Sequence, residues 1–211
     1  MVARMDETST PCRALRIGDP APNFSARTTK GPMSLAQYRG RWLVFFSHPA
    51  DFTPVCTSEF IALAKAAPLF EALDCALLGL SVDSLYAHVA WMRAIRELSG
   101  VEVPFPVVED PSMAIGRAYG MLDADATDSS SVRATYFIDP QGVIRATTWY
   151  PMNVGRSIDE MLRTVKALQR AADGKVLTPA GWQPGDDILL PPELPADSAP
   201  DWFHRLRPDT R

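Results

Sequence analysis

The 211-residue chain carries 21 basic and 25 acidic side chains for a formal net charge of -4, with 46% hydrophobic and 22% charged residues. That balance excludes an intrinsically disordered chain, and it supplies no positive field to make nucleic acid a main partner. No run approaches the roughly 18 to 20 uncharged apolar residues of a membrane span, so the chain is expected to be soluble, with one well-buried core and room for a small second lobe.

Residues 1–17 read as a polar tail: Arg4, Asp6 and Glu7 interrupt any secretory apolar block, and cytoplasmic residence is the expectation. Gly18-Asp-Pro-Ala-Pro22 is a rigid, non-helical lead into the fold. The apolar run 42–47 predicts a fully buried central strand, ended by His48 and Pro49. From Pro54 onward Phe60, Leu63, Ala64 and Ala67 recur at helical spacing, with Pro68 expected to break or kink the far end. A second buried strand spans 75–82. Asp83-Ser84 then caps a helix expected to turn Leu85, Val89, Met92 and Ile95 inward until Gly100.

A short strand at 105–108 and a short helix at 112–119 follow. Strands at 132–138 and 143–150 then pair across the Asp139-Pro-Gln-Gly142 turn. Ser157-Ile-Asp-Glu160 is a capping box for a helix whose Ile158, Met161, Leu162, Val165 and Leu168 share one face until Gly174. The series reads as an α/β core over 18–172, a central mixed sheet flanked by helices. Seven of the 19 prolines crowd into 173–211, which reads as an extended C-terminal arm or small C-terminal domain, packed on the main domain or on a partner subunit.

Three cysteines, Cys12, Cys56 and Cys75, are too few and too scattered for a disulfide framework. Cys75 sits in an apolar strand and reads as core filling, and Cys12 reads as an exposed thiol in the tail, with intermolecular pairing as an alternative. Cys56 is different. It falls in the first turn of a helix, where unpaired backbone N–H groups and the positive end of the dipole favour a thiolate. Thr53 can aim its hydroxyl at the sulfur or at a bound oxygen, and Pro49 can shield the sulfur without offering a competing donor. His88 and His204 have no companions at metal spacing and are expected at surface or half-buried positions; no metal and no cofactor are expected.

Pro49-x-x-x-Thr53-x-x-Cys56 resembles the Pro-x-x-x-Thr/Ser-x-x-Cys motif of the peroxiredoxins. The longer Phe46-Ser-His-Pro-Ala-Asp-Phe-Thr-Pro-Val-Cys-Thr-Ser-Glu59 is similar to their one-cysteine, peroxiredoxin-6-type branch. The likeness continues through Gly79-Leu-Ser-Val-Asp83, Val132-Arg-Ala-Thr-Tyr-Phe-Ile-Asp-Pro140, Tyr150-Pro-Met-Asn-Val-Gly-Arg156 and Thr178-Pro-Ala-Gly-Trp182. It implies a thioredoxin-like fold in which Cys56 attacks a peroxide oxygen while Thr53 and Arg133 polarise the O–O bond, giving a sulfenic acid.

His48 and Glu59, one residue before the proline and one turn after the cysteine, could orient the arginines or the substrate. Arg156 sits at the start of the last helix, where the dipole disfavours a cation, and that mismatch favours a functional use. The resemblance also implies a homodimer. No cysteine follows Cys75 to act as a resolving thiol in the C-terminal region, so reduction is expected from outside, by glutathione, a thioredoxin-like protein or another small thiol. A peroxide sensor or chaperone is the alternative reading. A phospholipase, also found in this branch, is disfavoured because Thr29-Lys-Gly-Pro-Met-Ser-Leu35 lacks a Gly-x-Ser-x-Gly turn.

Overall fold

Two uninterrupted buried runs set the centre of the fold. β3 (Trp42–Ser47) and β4 (Cys75–Ser81) are buried at every position and pair in parallel, Trp42 opposite Cys75 and Ser47 opposite Leu80. Strands covered on both faces read as continuous apolar runs rather than alternating ones. The computed structural model that shows this describes residues 15–122, 132–192 and 201–210. Cys12, and with it any pairing of that thiol, lies outside the described residues.

β5 (Val107–Glu109) extends the sheet in parallel beside β4, while β6 (Arg133–Ile138) runs antiparallel to β3 and carries β7 (Ile144–Tyr150) on its far side. The turn between them needs the left-handed backbone of Gly142, φ 73°. An N-terminal hairpin, β1 (Ser25–Thr28) and β2 (Gly31–Ser34), completes the order β2-β1-β5-β4-β3-β6-β7. Sequence reading misses this hairpin because Ser-Ala-Arg-Thr and Gly-Pro-Met-Ser carry no apolar alternation. β1 is recruited by pairing with β5, Thr28 opposite Val108.

Successive side chains of β3 enter opposite cores, as a period of two requires. Phe46 packs with Phe60, Leu63, Trp91 and Val165 under α1 (Pro54–Glu71), α2 (Leu85–Ser99) and α4 (Ile158–Arg170). Phe45 packs with Tyr119, Tyr136 and Ile115 beneath α3 (Ala114–Ala118) and a short 3-10 turn at Leu35–Tyr38. No helix among the described residues is long and apolar enough to cross a membrane.

Three expectations need correction. α1 continues through Pro68 to Glu71, with Ala72 N–H reaching the Pro68 carbonyl at 3.0 Å. The proline forfeits one bond in the last turn, and the fully buried Phe70 holds that turn in place. α2 keeps Ile95 and Met92 of the expected stripe against the core, but Val89 is exposed and His88 and Trp91 join the buried face. α4 ends at Arg170, with Ala171 as its C-cap, ahead of Gly174. Its start is as the capping box predicts, Ser157 Oγ accepting from Glu160 N–H at 3.2 Å.

The C-terminal region folds back on its own domain. Val176, Trp182 and Ile188 form a small core against Ala167 of α4, and the two-residue strands β8 (Ile188–Leu189) and β9 (Leu206–Arg207) pair above it. Arg170 clasps Asp209 through two hydrogen bonds of 2.8 Å.

Candidate active site

The chain leaves β3 at Ser47, passes through His48 and Pro49, and enters α1 at Pro54 with Thr53 as N-cap in extended backbone. Cys56 is therefore the third helical residue, and its 0% exposure puts the sulfur out of reach of bulk water. Thr53 does not cap the helix with its side chain; its hydroxyl donates to the Ala50 carbonyl at 2.8 Å and closes the loop on itself. Pro49 is buried.

Arg133, the first residue of β6, brings Nη1 to 3.3 Å from Cys56 Sγ. Its other donors, Nε and Nη2, hold the Met152 carbonyl at 3.0 and 2.7 Å, which fixes the plane of the guanidinium. The same Nη1 donates to Glu59 Oε2 at 2.8 Å. From the opposite side Arg156 donates to Glu59 three times, from its backbone N–H at 2.8 Å, from Nε at 2.9 Å and from Nη2 at 2.8 Å. Arg156 Nη1 reaches the Ala134 carbonyl at 3.1 Å, and its guanidinium lies 5.1 Å from the centre of the Phe46 ring.

Burial pushes the Glu59 carboxyl pKa up, but the hydrogen bonds and charge of Arg156, joined by the charge of Arg133, more than reverse this and leave it below the usual carboxylate range. Two buried guanidinium groups face one buried carboxylate, an excess of one positive charge, with Arg133 the group that reaches the sulfur. An anion at the sulfur's position would complete the neutralisation of the cluster.

Of the two residues expected to orient the arginines, Glu59 does so. His48 instead directs Nε2 to Asp51 Oδ1 at 2.8 Å and packs against the Phe60 and Trp91 rings, with centroid separations of 4.8 and 5.1 Å. Burial dominates its titration and lowers its pKa despite Asp51. Asp51 Oδ2 meets His88 Nδ1 at 2.7 Å. His88 is thus fully buried rather than at the surface. Sequence reading missed Asp51 and His88 because they lie 37 positions apart and only the packing of α2 against α1 and β5 joins them. Their ligand atoms and that of His48 lie within 4.8 Å of one another, but the two N···O separations are those of hydrogen bonds with a proton between.

Cys75, by contrast, stands in register with Trp42 at the start of β3 and is 1% exposed, and burial pushes its thiol up to about 12. Cys56 leaves from the other end of that strand, so the six residues of β3 separate the two thiols by roughly 15 Å.

Residues 17–147 match the AhpC/TSA family, and residues 167–201 match the C-terminal domain of 1-Cys peroxiredoxin. The chain is 48% identical over 177 residues to peroxiredoxin 2 of Caldanaerobacter subterraneus subsp. tengcongensis, covering 84% of this chain and 80% of that one. It is 41% identical over 215 residues to a peroxiredoxin of Methanosarcina mazei, covering 92% and 98%. Among solved structures, a yeast mitochondrial 1-Cys peroxiredoxin superposes with a TM-score of 0.85 at 38% identity, over 92% of this chain and all (100%) of that one. A cysteine-to-serine mutant of peroxiredoxin 6 of Arenicola marina gives 0.80 at 34%, over 87% and 86%. The mixed seven-stranded sheet is the thioredoxin-like fold of these proteins, and the chain belongs to the peroxiredoxins, the thiol-dependent peroxidases of the AhpC/TSA family.

Proposed function

We propose that Cys56 is the peroxide-reducing nucleophile and that an external thiol regenerates it. The observation that carries this reading is the charge count around the sulfur: Arg133 and Arg156 against Glu59, with Arg133 Nη1 at 3.3 Å from Sγ. The thiolate forms an S–O bond to the near oxygen of a hydroperoxide while the O–O bond breaks; sulfur loses two electrons and the departing alkoxide or hydroxide takes up a proton. Arg133 is placed to stabilise that developing charge, and Arg156 and Glu59 hold Arg133 in position. Thr53 and Pro49 shape the loop that presents the sulfur.

The resulting sulfenic acid condenses with a first outside thiol to a mixed disulfide and water, and a second thiol releases Cys56. Two features favour an outside donor: Cys75 lies far beyond the roughly 7 Å Cα separation that a disulfide tolerates, and the yeast 1-Cys relative was studied for thiol resolution through glutathione and thioredoxin systems. A homodimer is proposed as the working assembly, in keeping with the exposed Phe52 and Trp149 beside the site and on the outermost strand β7.

The deciding measurement is hydrogen peroxide consumption with glutathione, a thioredoxin system or dithiothreitol as reductant. Turnover is expected in the unmodified protein and none above background in Cys56→Ser; a mutant that still turns over would overturn the assignment.

A further inference from the structure

The loop between β3 and α1 holds a strained residue with little to pin it. Phe52 has φ 57°, a left-handed backbone that a bulky side chain adopts only at a cost, and within one subunit its ring is 59% exposed and so gains little from burial there. Its neighbour Asp51 is the anchored one. The Asp51 backbone N–H donates to Asp83 Oδ2 at 3.0 Å, and the carboxylate bridges His48 at 2.8 Å and His88 at 2.7 Å. All three side chains in that bridge are at most 1% exposed.

The proton inventory follows from the partners. His88 Nδ1 faces a carboxylate, and His88 Nε2 faces the Val108 carbonyl at 3.2 Å. Both partners only accept, so the two contacts are satisfied together when each ring nitrogen of His88 holds a proton. The imidazolium then neutralises the buried Asp51 carboxylate, which would otherwise be an unpaired anion in the core. His48 Nε2 also faces the carboxylate and donates to it, which places the ring proton of a neutral His48 on Nε2 and the lone pair on Nδ1.

We propose that Asp51 and His88 are positioning residues for peroxide reduction: an imidazolium–carboxylate pair that clamps the strained Pro49–Thr53 loop to α2, sets the tautomer of His48, and so fixes where Thr53 and Cys56 stand relative to Arg133. The proposal rests on Cys56 as nucleophile. Its reach comes from the loop itself, since Thr53 closes back on Ala50 at 2.8 Å, one residue from Asp51, and begins the helix that carries Cys56.

Two measurements test it on the full chain. In 15N-histidine NMR of the unmodified reduced protein, His88 is expected to show two protonated nitrogens and His48 the Nε2–H tautomer; a bare nitrogen on His88 overturns the proposal whether or not any variant folds. Stopped-flow oxidation of Cys56 by hydrogen peroxide is then compared across Asp51→Asn, His88→Leu and His88→Asn, with near-UV circular dichroism as the check of fold. His88→Leu and Asp51→Asn are expected to slow oxidation by about tenfold or more, the scale of a small misplacement of reacting groups. His88→Asn returns a donor toward Asp51 and is expected to recover part of the loss. A folded His88→Leu protein that oxidises at the original rate overturns the clamp. Cys56→Ser is run in parallel: residual peroxide consumption there fails the nucleophile assignment, whereas an inert Cys56→Ser beside a fast His88→Leu fails only the positioning role.

Discussion

Glu59 is the residue on which the site's geometry turns, because one buried carboxylate accepts from both guanidinium groups. Glu59→Gln leaves two buried cations facing a neutral amide. Removal of one partner from a buried ion cluster costs about 3–5 kcal/mol, which equilibrium urea unfolding should register as a lower midpoint at unchanged m-value. Arg133→Met deletes the donor nearest the sulfur; the second-order rate with hydrogen peroxide should fall by about 10²- to 10³-fold, read by stopped-flow, with the fold retained. Cys75 makes the opposite case. Its buried thiol, pushed up to about 12, should remain reduced when one equivalent of peroxide oxidises Cys56, and peptide mass mapping after alkylation in denaturant should find oxidation on Cys56 and none on Cys75. Its appearance on Cys75 would contradict the burial argument.

At the scale of elements, local signals were legible wherever the chain writes its own boundary. The Ser157 cap, the Pro54 start of α1 and the continuous apolar runs of β3 and β4 all declare themselves in order along the sequence. Elements defined by a distant partner did not. β1 and β2 exist because β5 offers an edge, and the buried face of α2 is set by the pocket that receives His88 and Trp91 rather than by the most apolar stripe available. Gly79 in β4 shows the same dependence: a Cβ there would meet Val107 at 3.3 Å and Phe46 at 3.4 Å. Gly79→Val should therefore overpack the centre of the sheet and cost about 1–3 kcal/mol, measured as a fall in thermal midpoint. A neutral outcome would mean that Phe46 and Val107 yield more readily than a close-packed core allows.

For the whole molecule, stability and acid are linked through three buried groups. Glu59 and Asp51 hold depressed carboxyl values, and His48 is depressed by burial. For each, the unfolded chain binds protons more readily, so each contribution is present above the unfolded value and is lost as pH falls from it toward the lower folded value. Stability should begin to fall below about pH 6.5 as unfolded-state histidine takes up protons, and fall more steeply below about 4, where unfolded carboxyls do. Urea midpoints measured from pH 6.5 to pH 3, below the range in which a protonated His88 acts in the opposite sense, check this, and Glu59→Gln should flatten the acid limb. Stability that rises on acidification through this range would reverse the sign of the argument. The C-terminal lobe gives a second test: Trp182→Ala empties its small core, and limited proteolysis should then cut after α4 while the sheet remains protected.

By itself the sequence determined the setting of Cys56 and most of the framework. Pro49, Thr53 and Cys56 lie within eight consecutive residues, and a helix start is a local event whose dipole and unpaired N–H groups need no distant partner. Only the tertiary structure decided how the charges meet. Arg133 and Arg156 come from the start of β6 and the approach to α4, and what brings both onto Glu59 is the antiparallel pairing of β6 with β3 and the seating of α4 beside α1. Asp51 and His88 were invisible for the same reason. Hydrogen bonds between residues 37 positions apart have no period, spacing or propensity to betray them, and they exist only once burial has removed the water that would otherwise serve as partner.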